Sequence, residues 1–246
     1  MEQANIINWE RRGEIGILSM SNGKKNYIDT PDFISLDNLQ EWTSEKNLKG
    51  IIITGIGRNF SAGADLDKLQ DLAQDQNLLI SKMNEGKKIL DFIEDLEIPV
   101  VSAIKGVCFG GGLEIALASH IRVATENALF AFPETNHGLI PGLGGTYRLF
   151  KLVGNKSYEI ILSADMINAE TANQIGLVNH ISNSNDALEL AEEKLQSMIK
   201  DRPIEVIRSV MQAIKNGETL SREEALKAET ELFCKLAIKV NFHQQG

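Results

Sequence analysis

Glu114 and Glu134 are the two residues of this chain best placed to do chemistry. Glu114 follows three glycines in "KGVCFGGGLEIALASH", residues 105–120, and opens an apolar helical pattern. Glu134 follows Pro133 in "ALFAFPETNHGLIPGLGGT", where Gly138, Gly142, Gly144 and Gly145 shape the loop beyond it. Read singly, each has a plain explanation. A glutamate in a first helical turn offsets the helix dipole, and a glutamate in a loop is solvated. Read together, they form a carboxylate pair at neighbouring strand ends, with Phe130, Phe132 and Leu139 close in sequence. Apolar surroundings and a second carboxylate both raise a carboxyl pKa, which lets one group act as acid while the other acts as base. Such a pair serves a reaction that adds or removes a proton at carbon beside one bound water.

The glycines before Glu114 point to an anion. A helix N-terminus exposes unpaired N–H groups, and glycines let a ligand approach them closely. Neither nucleotide fingerprint is present: "GVCFGGG" and "TGIGRNF" both miss the spacing of G-x-G-x-x-G, and no glycine loop ends in G-K-[ST]. An alternative anion is one formed during reaction, such as the oxygen of a thioester carbonyl that turns enolate-like. Two backbone N–H groups aimed at that oxygen stabilise it, and losing one donor costs about 3–4 kcal/mol. One donor comes from the glycine run. "GRNFSAGADLDKL", residues 57–69, is the natural source of the second, because it too follows an apolar strand and uses small residues before a helix.

Other chemistries are poorly served. His120, His137, His180 and His243 are scattered without metal-ligand spacing, although His137 lies close enough to Glu134 for a supporting role. There is no G-x-S-x-G nucleophile motif. Cys108 reads as a small packed hydrophobe beside the glycines, and Trp9 and Trp42 as core or partly buried anchors.

These residues need elements to hold them. "NIINWERRGEIGILSMS" reads as a β-hairpin split at "RRGE". "DTPDFISLDNLQEWTSEK" has helical spacing, with Asp29 or Thr30 as its cap and Pro31 in its first turn. "KGIIITGIG" and "PVVSAIKG" are buried strands, separated by an amphipathic helix that Pro99 stops. "GGLEIALAS" is a helix starting near Leu113; "IRVATE", "ALFAFPE" and "LVNHIS" are strands; and "GTYRLFKLVG", "KSYEIILSA" and "NAETANQIG" are short helices. Strands alternating with helices predict an α/β fold with parallel strands, whose ligands bind at the strands' carboxyl edge. The segment from about residue 185 reads as all-helical.

Composition sets the outer bounds. The 246 residues suit one large domain or two small ones, and 43% hydrophobic residues are enough for a buried core. The net charge of −9 argues against nonspecific nucleic-acid binding. The two cysteines, Cys108 and Cys234, give neither a disulfide framework nor a zinc spacing. "MEQANIINWERRGE" lacks the apolar run of a signal peptide, and no stretch has the length of a membrane helix. The expectation is a cytoplasmic protein that binds neither nucleic acid nor membrane.

The segments "NFSAGADLDKL", "PVVSAIKGVCFGGGLEIALASHIRVATENALFAFPETNHGLIPGLGGTYRLFKLVG" and "ADMINAETANQIGLVNHI" together resemble the crotonase family of enoyl-CoA hydratases and isomerases, in order and spacing from about residue 5 to 240. The resemblance implies a crotonase-like superhelix of ββα turns over residues 1–184, and a helical C-terminal region, residues 185–246, that assembles a homotrimer or a dimer of trimers. It implies an oxyanion hole from the amides of Ala62 and Gly111. It implies a coenzyme A thioester running along Ala62, Ala64, Asp65 and Leu66, with no separate cofactor and no metal. Because a glutamate stands at both acidic positions, it implies a hydratase, with Glu114 activating water for attack at Cβ and Glu134 delivering a proton to Cα.

Departures from the family pattern shape further expectations. Gly23 replaces a common proline, and Tyr27-Ile28 replace Ala-Leu. Lys24 and Lys25 are candidates for the coenzyme phosphates. Phe132 stands where many hydratases carry a polar residue, so it and Gly138 are expected to shape the acyl pocket. The chain closes on "NFHQQG" where relatives continue with a helix rich in Phe, Lys and Arg, which brings an acyl-carrier-protein thioester into consideration. Isomerisation or decarboxylation by the same scaffold, in fatty acid, polyketide or secondary metabolism, and a non-catalytic acyl-thioester binder are the competing readings.

Overall fold

The structure is a computed structural model that describes residues 7–240. The expectations for the chain end at residues 241–246, and for His243, lie outside the described residues. The chain opens with the antiparallel hairpin β1 (Ile7–Arg12) and β2 (Ile15–Met20), in register Ile7 to Met20. It continues through α1 (Leu36–Thr43), β3 (Gly50–Gly55), α2 (Leu66–Leu72), α3 (Gln76–Glu94), β4 (Val100–Ile104), β5 (Val107–Phe109), α4 (Gly111–Leu117), β6 (Ile121–Thr125) and β7 (Leu129–Ala131). After a 3-10 turn at Pro133–His137 come α5 (Gly145–Val153), α6 (Lys156–Ser163), β8 (Ile167–Asn168), α7 (Ala169–Gln174), β9 (His180–Ser182), and the helices α8 (Leu188–Ile199), α9 (Ile204–Thr219) and α10 (Arg222–Ala237).

Six strands form one sheet in the order β1-β2-β3-β4-β6-β9, parallel beyond the first hairpin. Its central strands "GIIITG" and "VVSAI" are buried at every position, as expected of parallel strands covered on both faces. One face packs on a large core that includes Ile51, Ile53, Phe60, Leu90, Val100 and Leu113. The other carries Ile17, Ile52, Val101 and Val123, covered by Ala191, Leu195 and Ile199 of α8. So the first helix after residue 185 seals the main sheet, whereas α9 and α10 pack chiefly on each other, and only Ile207 of α9 is buried, in the same core as α8. A second, three-stranded sheet has the order β5-β7-β8; β5 leads into α4, which carries Glu114, and β7 into the turn that carries Glu134.

The structure corrects three local expectations. The helix of residues 29–46 is shorter: Ser35 accepts from the Asn38 amide as its cap, and Asp29 instead receives the Asn22 side-chain amide and an ion pair from Lys68. The preceding residues are used elsewhere, since Ile28 bridges to Ala64. "VCF" before the glycines is a strand, Val107–Phe109, paired to Leu129–Ala131. Helix α3 ends at Glu94, five residues ahead of Pro99.

Candidate active site

Both sequence-predicted loops reach the same place. Ser61 bridges to Cys108 through Ser61 N–H to the Val107 carbonyl, 3.1 Å, and Phe109 N–H to the Ser61 carbonyl, 3.0 Å. Two residues on, the loops nearly touch. A Cβ placed on Gly63 would lie 2.8 Å from the Phe109 carbonyl oxygen and 3.4 Å from the Gly111 nitrogen, and Gly63 holds φ +85°. Only glycine lets the two backbones come this close.

The amides along this segment alternate in direction, as extended backbone requires. The Ala62 N–H donates to the Lys25 carbonyl at 2.9 Å. That hydrogen is spent inside the fold, which corrects the expectation that Ala62 helps to form the oxyanion hole. Ile28 takes the flanking groups of the next residue pair, donating to the Gly63 carbonyl at 2.8 Å and accepting from Asp65 N–H at 2.9 Å. In a parallel bridge those bonds come from the neighbours of Ala64, so the Ala64 N–H points to the opposite side. That is the side on which Gly63 meets Gly111. Gly111 is the first residue of α4, so its amide has no carbonyl one turn earlier to bind.

The three glycines before Glu114 do different things. Gly110 holds φ +49°, and a Cβ there would lie 2.6 Å from Glu134 Oε1. Gly110 therefore gives the turn its conformation and gives Glu134 its room. Gly112 lets α4 lie against Ser61, whose Cβ would be 2.7 Å from an added methyl.

Glu114 is 2% exposed. Its Oε1 accepts the Leu143 and Gly145 N–H groups, each at 2.7 Å. Those two bonds fill Oε1 and leave Oε2 for a ligand. Burial pushes the Glu114 pKa up, opposed by the Gly145 and Leu143 amides and then by the charges of Arg148 and Lys87. Glu134 is half-buried on the 3-10 turn, and its Oε2 is buried with no hydrogen-bond partner. Burial raises its pKa to about 7; its own amide opposes the shift and the Glu114 charge adds to it. One carboxyl is thus gripped by two distant amides, and the other keeps one buried oxygen without a partner.

The remaining predicted residues divide. Leu66 is exposed beside Ala64, and Asp65 is committed to capping α2 through the Asp67 and Lys68 amides. Lys24 is exposed, and its carbonyl accepts the Asn59 side-chain amide at 2.9 Å. Lys25 Nζ lies 3.0 Å from the Tyr27 hydroxyl. Phe132 is fully buried, with its ring tip 2.8 Å from where a Gly145 Cβ would be. It backs the Glu114 clamp and offers no surface to an acyl chain. Gly138 ends the 3-10 turn at φ +71° with open space around it, and His137 beside it is exposed. Cys108 is buried and Cys234 exposed, both as thiols. Among the described residues no group of acidic, histidine or cysteine side chains could hold a metal, and no helix is long and apolar enough to cross a membrane.

Three contributors were not foreseen: Ala64 as an amide donor, the Leu143 and Gly145 amides, and Arg148. The last had a legible signal. Gly145, Arg148 and Leu149 form an i, i+3, i+4 stripe that is the buried face of α5, so a charge sits where an apolar residue belongs.

Comparison with known proteins gives the chain's family and its fold. A family model described as enoyl-CoA hydratase/isomerase matches residues 30–245. The short-chain-enoyl-CoA hydratase of Clostridium acetobutylicum is 32% identical over 237 residues, 95% of this chain and 89% of that protein. The 2,3-dehydroadipyl-CoA hydratase of Escherichia coli is 31% identical over 210 residues, 85% of this chain and 80% of its own length. Among solved structures, an enoyl-CoA hydratase from Bacillus anthracis superposes with a TM-score of 0.86 at 27% identity, covering 98% of this chain and 94% of that one.

Proposed function

Since the chain belongs to the enoyl-CoA hydratase/isomerase family, we propose that it is a lyase adding water across the 2,3 double bond of an enoyl-CoA thioester, and running the reverse dehydration. The observation that carries this reading is the pairing of two unlike carboxyls, Glu114 clamped and Glu134 unpartnered, beside the meeting point of two loops with free amides.

The thioester oxygen sits between the Gly111 and Ala64 amides. Glu114 takes a proton from water through Oε2 as the water oxygen bonds to Cβ. The double-bond electrons move toward the carbonyl, and the two amides hold the charge that develops on oxygen. Glu134 then gives its proton to Cα, and the proton on Glu114 returns to Glu134. Dehydration runs the same steps backward. A scaffold that retains both carboxyls at one water is matched to hydration, whereas shifting a double bond needs only one. The substrate's coenzyme A passes along Ala64 and Leu66, with Lys24 and Lys25 available to its phosphates; no further cofactor is required by these steps.

Segment 185–246 is proposed to carry contacts between copies in a homotrimer. Exposed Val210 and Ile214 on α9 and Leu226 and Phe233 on α10 support this, and light scattering showing a monomer at micromolar concentration would overturn it. We place the enzyme in the cytoplasm. The activity is tested by following crotonyl-CoA through loss of its conjugated absorbance. Glu114→Gln and Glu134→Gln are each expected to lower kcat by about 10²–10⁴-fold with Tm nearly unchanged. Full activity in either variant would remove that carboxyl from the mechanism.

A further inference from the structure

The amides that grip Glu114 are themselves held by a group outside the reaction. Arg148 is 5% exposed. Its Nη1 donates to the Leu143 carbonyl at 2.8 Å, its Nε to Glu94 Oε2 at 2.7 Å, and its Nη2 to Asp91 Oδ1 at 2.6 Å. Leu143 is therefore bonded at both ends: its carbonyl to Arg148 and its N–H to Glu114. Gly144 between the two clamp amides holds φ +97°, and a Cβ there would lie 2.5 Å from Arg148 Nη1. The guanidinium thus fills the space under the turn and ties it to α3. A lysine cannot reproduce this, because it lacks the planar fork that serves three acceptors in fixed directions.

We infer that Arg148, anchored by Asp91 and Glu94, is a positioning residue: it fixes the Leu143–Gly145 turn so that both amides meet Glu114 Oε1 and Oε2 faces the water. This deepens the hydratase reading and rests on it. The charged groups facing this unit are few. Arg148 and Lys87 face Glu114 from α5 and α3, and Glu134 faces it from the 3-10 turn. Asp91 and Glu94 face Arg148, Lys151 Nζ lies 4.0 Å from Glu94, and His120 contacts the Glu94 carbonyl at 3.2 Å. His120 Nδ1 accepts the Val100 amide, so the ring is neutral and its other nitrogen is the donor. Arg148 is the cation bonded to the turn itself, and it favours the ionised form of Glu114.

The test compares wild type, Arg148→Lys and the double variant Asp91→Asn with Glu94→Gln in crotonyl-CoA hydration across pH. Arg148→Lys is expected to lower kcat about 10–100-fold with KM within about threefold of wild type. The acidic limb of its rate profile should also move to higher pH, because Glu114 then ionises less readily. The double variant leaves the guanidinium in place with its anchors neutral, so it tests the point even where Arg148→Lys folds poorly. It should lose about 3–10-fold in kcat. Wild-type kcat and an unmoved acidic limb in a folded variant would show that Arg148 is structural filling only. A wild-type enzyme that turns over no enoyl thioester would instead overturn the hydratase reading, so the two failures are distinct.

Discussion

The start of α4 and the 3-10 turn after β7 each present one glutamate to the same site, and they treat it in opposite ways. At α4 the carboxyl is buried, and one oxygen is filled by two amides at 2.7 Å. At the turn, an oxygen is buried with no partner at all. Burial raises both pKa values; at Glu114 two amides, Arg148 and Lys87 oppose the rise, while at Glu134 only its own amide opposes it and the nearby Glu114 charge adds to it. A buried polar atom with no partner normally costs about 1–3 kcal/mol. The fold tolerates that cost at Glu134, the proton donor we propose, and avoids it at Oε1 of Glu114, the acceptor we propose. Residue type alone does not set the role; the backbone around each carboxyl does.

The largest way to break this contrast is through the glycine beside each carboxyl. An added Cβ at Gly145 would lie 2.9 Å from Glu114 Oε1 and 2.8 Å from Phe132, and at Gly110 it would lie 2.6 Å from Glu134 Oε1. Overpacking of this kind costs about 1–3 kcal/mol. Gly145→Ala and Gly110→Ala are each expected to lower kcat by about 10–100-fold, with Gly110→Ala also losing stability through its φ of +49°. Steady-state kinetics with thermal melts separates the two effects, and unchanged kcat in both would mean that neither carboxyl is tightly placed.

A smaller effect sharpens the assignment of acid and base. In the proposed mechanism the pair must hold one proton in either direction, on Glu134 for hydration and on Glu114 for dehydration, and burial raises the Glu134 pKa to about 7. Hydration and dehydration kcat/KM should therefore fall together as pH rises through about 7, in a constant ratio, because the equilibrium between them involves no net proton. Glu134→Gln should flatten that limb in both directions. A limb that survives the substitution would belong to another group.

The smallest effect is on stability. Below about pH 4.5 both folded and unfolded chains hold the Glu134 proton, so it contributes no difference there. As pH rises from 4.5 through about 7, the unfolded chain ionises first and wild type loses stability relative to Glu134→Gln. The difference at pH 8 should be roughly 1 kcal/mol in favour of the variant, after allowance for partial exposure. Denaturant melts at pH 4 and pH 8 measure it, and equal differences at the two values would contradict the raised pKa.

Much of this was legible in the chain. The buried strands "GIIITG" and "VVSAI", the helices before and after the glycines, and both glutamates announce themselves through period, length and glycine placement. What stayed hidden depended on contacts between distant segments. Whether Ala62 or Ala64 offers a free amide is decided by residues 25 and 28 pairing alongside, more than 30 positions earlier. The strand Val107–Phe109 needs its partner at Leu129–Ala131 before three residues count as a strand. Phe132 is expected at the acyl pocket because it stands where many hydratases carry a polar residue, but its ring turns inward behind Gly145. Arg148 alone left a trace that periodicity exposes, a charge on the buried stripe of α5.

The decisive feature is where the thioester oxygen goes. A crystal structure with a bound, unreactive acyl-CoA should place that oxygen about 2.7–3.1 Å from both the Gly111 and Ala64 nitrogens, with Glu114 and Glu134 on either side of the Cα–Cβ bond. A carbonyl that meets Ala62 instead, or either carboxyl turned away from those carbons, would contradict it.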